Sequence, residues 1–200
     1  MTEPRTTLET FSEEIKDCQR CALAASRAHV VFGSGNPEAE VMFVGEAPGY
    51  YEDREGKPFV GAAGQLLDSL LEDIGLRRED VYIANVLKCR PPKNRNPQPD
   101  EIESCKPYLY RQLELVQPRV TYTLGNFATQ LLLGKKVGIT KVRGQSFPGP
   151  NFFIFPMLHP AAALHQERFR ESVREDFRNL RAFLDQGLQP APAQEQMPLL

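Results

Sequence analysis

Four short apolar runs limit what this chain can fold into: EVMFVG at 40–45, VYIANVL at 81–87, RVTYTL at 119–124 and FFIFPML at 152–158. Each is too short for an ordinary buried helix and apolar almost throughout, the pattern of a strand covered on both faces. Between the runs the spacing turns helical. Leu66, Leu67, Leu70, Leu71 and Ile74 fall on one stripe of 62–75, which stops at Gly75. Asp100 opens a second helical stretch to about Val116, and 126–133 forms a short third. Amphipathic helices are expected at 6–17 and 167–186. Strands alternating with helices predict an α/β domain around a mainly parallel, four-stranded sheet. Such sheets bind ligands beyond the carboxyl ends of their strands, here 45–60, 85–97, 125–127 and 159–165.

The 200 residues suffice for one domain with a sizeable core. No apolar run reaches the roughly 18 residues of a membrane span, and the N-terminus lacks the apolar stretch of a secretory signal. A cytoplasmic protein without membrane association is therefore expected. The net charge of −2 announces no polyanionic partner, so any nucleic-acid contact must come from a local basic patch. The tail QPAPAQEQMPLL is Pro- and Gln-rich and is expected to be disordered.

The four cysteines are Cys18, Cys21, Cys89 and Cys105. In a reducing compartment they point to metal or redox chemistry rather than disulfides. Cys18 and Cys21 form a C-x-x-C pair able to face one metal centre, whereas 15 residues separate Cys89 from Cys105. The set fits either a structural zinc or a [4Fe–4S] cluster, and spacing alone does not choose.

The segment GEAPGYYEDREGKPFVGAAG, at 45–64, carries five glycines that let backbone approach a ligand closely. It matches neither the dinucleotide fingerprint nor the P-loop. Together with VYIANVLKCRPPKNRNPQPDEIESC, FPMLHPAAAL and the upstream C-x-x-C, it resembles the family 4, iron–sulfur class of uracil-DNA glycosylases. The resemblance runs from about Phe11 to Leu184. It implies a three-layer α/β/α sandwich with a small, mainly parallel central sheet. The implied glycosylase domain is 1–186, with 187–200 as the tail. It further implies a [4Fe–4S] cluster of structural purpose on Cys18, Cys21, Cys89 and Cys105, and a monomer that excises uracil from DNA.

The same resemblance assigns roles. A uracil inside a duplex must be flipped into a pocket before its glycosidic bond can be reached. Phe59 is then expected to stack on the base, Asn85 to read its Watson–Crick edge, and the Ala47 N–H to contact it. His159 would donate a hydrogen bond to O2 as negative charge develops on the leaving uracil. The best-known uracil glycosylases place a water with the Asp of a GQDPY motif; the matching residue here is Ala47, so that task passes to Glu46, Glu52 and Asn94, with a Glu52–Asn94 hydrogen bond favoured. DNA contacts are expected from Lys88, Arg90, Lys93 and Arg95 in one loop and Lys135, Lys136, Lys141 and Arg143 in another, with Leu164 as a minor-groove wedge. Two other readings are a non-enzymatic metal module that binds nucleic acid and a covalent uracil-DNA binder. Glu52, Asn85 and His159 argue against the first; 134–149, which does not resemble the extra basic loop of the second, argues against that one.

Overall fold

The four apolar runs form the inner strands of one sheet. A computed structural model describes residues 7–187, so residues 188–200 of the expected tail lie outside the described residues. The strands are β1 (Ser34–Gly35), β2 (Val41–Gly45), β3 (Tyr82–Asn85), β4 (Val120–Leu124), β5 (Phe147–Pro148) and β6 (Phe153–Met157). Their order across the sheet is β1-β3-β2-β4-β6-β5. The four inner strands pair in parallel, and the two outer ones run antiparallel.

The sheet therefore has six strands rather than the four expected. The two additions are edge strands of two residues each, Ser-Gly and Phe-Pro. Segments that short carry no alternation, and only their partners define them as strands.

Eight α-helices connect and cover the sheet: α1 (Leu8–Ile15), α2 (Tyr50–Glu55), α3 (Ala62–Glu72), α4 (Pro99–Val116), α5 (Asn126–Leu133), α6 (Ile139–Val142), α7 (Pro160–His165) and α8 (Arg170–Asp185), as counted among the described residues. Side chains alternate across the pleat. Val41, Phe43, Ile83, Tyr122 and Phe155 pack on one face with Leu67, Leu70 and Leu71 of α3 and Phe177 and Leu180 of α8. Met42, Val44, Tyr82, Ala84 and Ile154 pack on the other with Leu109 and Leu113 of α4 and Ala128 and Leu132 of α5. Helix, sheet and helix thus form three layers, and β2 is buried along its whole length. None of the described helices is long and apolar enough to cross a membrane.

The chain leaves β2 toward β3 on one side and β4 toward β6 on the other. Neighbouring strands whose connections depart in opposite directions open a crevice at their carboxyl ends. The glycine-rich turn after β2, Asn85 at the end of β3, Gly125 after β4 and His159 after β6 meet there.

Candidate active site

Gly45 ends β2 and stands in register with Asn85, the last residue of β3. A Cβ at Gly45 would lie 2.4 Å from the Asn85 Oδ1 and 2.7 Å from the Phe59 ring, so only glycine lets both side chains close over this strand end. Asn85 is 2% exposed, and its Oδ1 has no hydrogen-bond partner among the described residues. A buried amide oxygen left open is costly unless a ligand supplies the donor.

Phe59 holds a left-handed backbone conformation, with φ 53°, which is uncommon for a bulky residue and persists only where its surroundings enforce it. The surroundings are visible. The Arg78 guanidinium donates to the Phe59 carbonyl at 2.8 Å and to the Pro58 carbonyl, and it pairs with Asp68 at 2.9 Å. From the opposite side the Glu52 Oε1 accepts the N–H groups of Val60 and Gly61 at 3.0 and 2.9 Å. The clamped ring stacks on His159, with centroids 5.5 Å apart and planes 25° from parallel.

His159 caps the N-terminus of α7, its Nδ1 accepting the Ala161 N–H at 3.1 Å. Burial pulls the imidazole down to about 4, with Glu52 pulling the other way. The ring is therefore neutral at physiological pH. With Nδ1 as the acceptor, the proton sits on Nε2, which becomes a donor. The preceding Leu158 N–H is held at 2.8 Å by Asp176 of α8. Asp176 is fully buried and pairs with Arg143 at 2.8 Å; burial raises its carboxyl. The strand end carrying His159 is thus tied to α8. Glu46 lies half-buried in the turn after β2, and burial raises its carboxyl too. Ala47 is half-buried beside it.

Several expected contacts fall elsewhere. The Glu52–Asn94 hydrogen bond is absent: Glu52 is committed to the 60–61 backbone, and the Asn94 Oδ1 accepts the Arg90 Nε–H at 2.7 Å. Lys88 is not a surface cation but 1% exposed, its ammonium donating to the Asn85 carbonyl at 2.8 Å and to the Gln112 amide oxygen. Arg95 forms an ion pair at 2.6 Å with the buried Glu101 at the start of α4. Arg143, expected on the DNA surface, is spent on α8, donating to the Ser172 carbonyl and pairing with Glu175 and Asp176. A basic residue in a loop reads the same whether its partner is a phosphate or a carboxylate far along the chain. Lys93, Lys135, Lys136, Lys141 and Leu164 are exposed, and Arg90 is partly so.

The cysteines gather at a second site, between the N-terminal segment, the loop after β3 and α4. Cys18, Cys21, Cys89 and Cys105 line one cavity together with Ile15 and Tyr108, and all four are free thiols. Donors point at the sulfurs. The Tyr108 hydroxyl donates to the Cys18 Sγ at 3.2 Å, the Lys88 N–H to the Cys105 Sγ at 3.3 Å and the Arg27 guanidinium to the Cys89 Sγ at 3.8 Å. Burial pushes the Cys89 thiol up to about 12, with Arg27 opposing, and raises Cys105 as well. Among the described residues no three Cys, His, Asp or Glu side chains form a group able to hold a single metal ion.

The sequence model of the uracil DNA glycosylase superfamily matches residues 32–181. The chain is 47% identical over 183 residues to the type-4 uracil-DNA glycosylase of Sulfurisphaera tokodaii, covering 87% of this chain and 83% of that one. It is 47% identical over 186 residues to the Saccharolobus solfataricus type-4 enzyme, covering 88% and 86%. With the Archaeoglobus fulgidus type-4 enzyme it shares 46% over 181 residues, covering 86% and 91%.

Proposed function

The chain belongs to the uracil DNA glycosylase superfamily, among its type-4 members, and from that premise we propose that it flips uracil out of DNA and hydrolyses the N-glycosidic bond, leaving an abasic site. The reading makes it a repair enzyme that acts as a monomer on the chromosome in the cytoplasm.

The observation that carries this reading is the neutral His159, its Nδ1 engaged and its Nε2–H free, stacked on Phe59 beside Asn85. Phe59 supports the flipped ring. The open Asn85 Oδ1 accepts the uracil N3–H, and its amide NH₂ donates to O4. Cytosine has no N3–H and carries an amino group at position 4, so a fixed amide rejects it. As the bond breaks, negative charge grows on uracil, and the His159 Nε2–H, aimed at O2, stabilises it more in the transition state than in the ground state. A neutral donor also keeps its proton, so uracil leaves as an anion. The Ala47 N–H adds a backbone contact to the base. Glu52 does two things: its Oε1 holds the loop that aims Phe59, and its Oε2, together with Glu46, orients the attacking water. Asn94 supports the neighbouring loop through Arg90. Arg90, Lys93 and Lys141 bind phosphates, and Leu164 fills the space the flipped nucleotide vacates.

The cysteine cavity suits a [4Fe–4S] cluster. Four thiols line one space with N–H, O–H and guanidinium donors turned toward sulfur, the hydrogen-bonded setting that such a cluster's sulfurs take. Cys18, Cys21, Cys89 and Cys105 would hold it. When bound, such a group fastens the N-terminal segment to the loop after β3 and to α4.

The test is incubation of purified protein with single strands containing one uracil or one cytosine, followed by alkali. Scission at uracil alone, with free uracil recovered, is expected. Folded, iron-loaded protein that releases no uracil overturns the reading.

A further inference from the structure

Only three large hydrophobic side chains stand out in solvent among the described residues: Tyr50 at 46%, Tyr51 at 60% and Leu164 at 48%. All three sit on α2 and α7, the short helices that follow the pocket turns of β2 and β6. Glu52 of α2 holds the loop carrying Phe59, and His159 caps α7, so the exposed rings lie on the rim of the pocket. The two tyrosines meet edge to face, with centroids 5.4 Å apart and planes at 81°. Tyr50 is occupied: the Arg90 guanidinium lies over its ring at 5.1 Å and that of Arg54 at 5.8 Å. Tyr51, the more exposed of the two, runs one ring edge past Gly61, its Cδ2 3.5 Å from where a Cβ there would lie.

An open aromatic face beside arginines, on the rim of a pocket built for one base, matches how proteins hold single-stranded nucleic acid: rings take the bases and cations take the backbone. Flipping a nucleotide unstacks its neighbours, and a ring at the rim offers the stacking they have lost. We propose that Tyr51 stacks on the nucleobase adjacent to the flipped uracil, while Arg54 and Arg90, gathered on Tyr50, carry the phosphate of that nucleotide. This rests on the glycosylase reading and adds a second base-binding position to it.

The test uses single strands in which a non-hydrolysable 2′-fluoro-deoxyuridine has a tetrahydrofuran abasic residue on its 5′ side, on its 3′ side, or on neither. Affinities are compared for the wild type, Tyr51→Ala and Tyr51→Phe, each shown by thermal melting to be folded. Wild type and Tyr51→Phe should lose about tenfold in affinity when the neighbouring base on one side is removed. Tyr51→Ala should bind the intact strand about tenfold more weakly and lose nothing further from the abasic neighbour on that side. Equal sensitivity in Tyr51→Ala and wild type overturns the proposal, as does a wild type indifferent to both abasic strands. A parallel excision assay on ordinary uracil strands separates the failures. Excision without neighbour dependence sinks only the Tyr51 assignment, whereas no excision sinks the glycosylase reading beneath it.

Discussion

The pocket and the cysteine cavity solve opposite problems. The pocket is built by protein contacts alone. Phe59 is forced into a left-handed backbone by Arg78 on one side and Glu52 on the other, and His159 is fixed by the Ala161 N–H and the Asp176 tie to the preceding residue. What it leaves without a partner among the described residues is the buried Asn85 Oδ1. In the cavity the side chains converge but do not satisfy one another. Buried thiols held high by desolvation face a shared space with only a few weak donors around them. One region is preorganised by its own contacts; the other gathers four thiols around a space that its own side chains do not fill with partners. Lys88 touches both, its N–H on the Cys105 Sγ and its ammonium on the Asn85 carbonyl.

The largest effect should come from the cavity. Cys105→Ser is expected to abolish stoichiometric iron, about four atoms per chain in the intact protein, and to lower the melting temperature sharply, because bound metal contributes directly to folding free energy. Iron analysis and thermal melting check this. Unchanged stability in the iron-free variant would mean that the cavity, like the pocket, is self-sufficient.

Next comes His159→Ala, which should slow single-turnover excision about 10²–10³-fold, the usual loss of one transition-state donor, while DNA affinity and iron content stay near wild type. Loss of affinity and stability together would reduce His159 to a packing residue. Lys88→Met should have a smaller effect. It leaves the Asn85 carbonyl and the Gln112 oxygen buried without a donor, a cost of about 1–3 kcal/mol. Denaturant melts should show that loss with iron content unchanged. Loss of iron as well would show that the two regions are one unit.

The smallest effect is one of pH. With its folded value near 4, His159 stays neutral well below the ordinary imidazole range, so the part of the excision rate that depends on its donor should be level from pH 8 down to about 5.5 and fall only on approach to 4. The sign for stability follows from linkage. The folded value lies below the unfolded one, so between the two the unfolded chain binds more protons and stability declines as pH falls through that window. A rate profile with its acid limb centred near 6.5 would show that the imidazole is not buried in the working enzyme.

Much of this architecture was legible in the residues. The inner strands lie within the four apolar runs, and the motif glycine at 45 stands where Asn85 and Phe59 need it. The cysteines, 87 positions apart at their extremes by number, line one cavity as their shared chemistry suggested. The edge strands were not legible, because two residues of Ser-Gly or Phe-Pro have no period of their own. Nor were α2, α6 and α7, helices of four to six residues inside segments read as loops or left unassigned.

The sequence by itself determined which stretches are buried, where the chain turns, and which side chains carry chemistry, since these follow from hydrophobic periodicity, glycine placement and functional groups within a few residues. Only the tertiary structure decided what each polar group is paired with. Asn94 met Arg90 rather than Glu52, Glu52 became a backbone clamp, Arg143 met Asp176, and Lys88 went inside. A charge is satisfied by whatever partner the fold brings within about 3 Å, and partners such as Arg143 and Asp176 lie 33 positions apart in the chain, a distance over which local pattern carries no information.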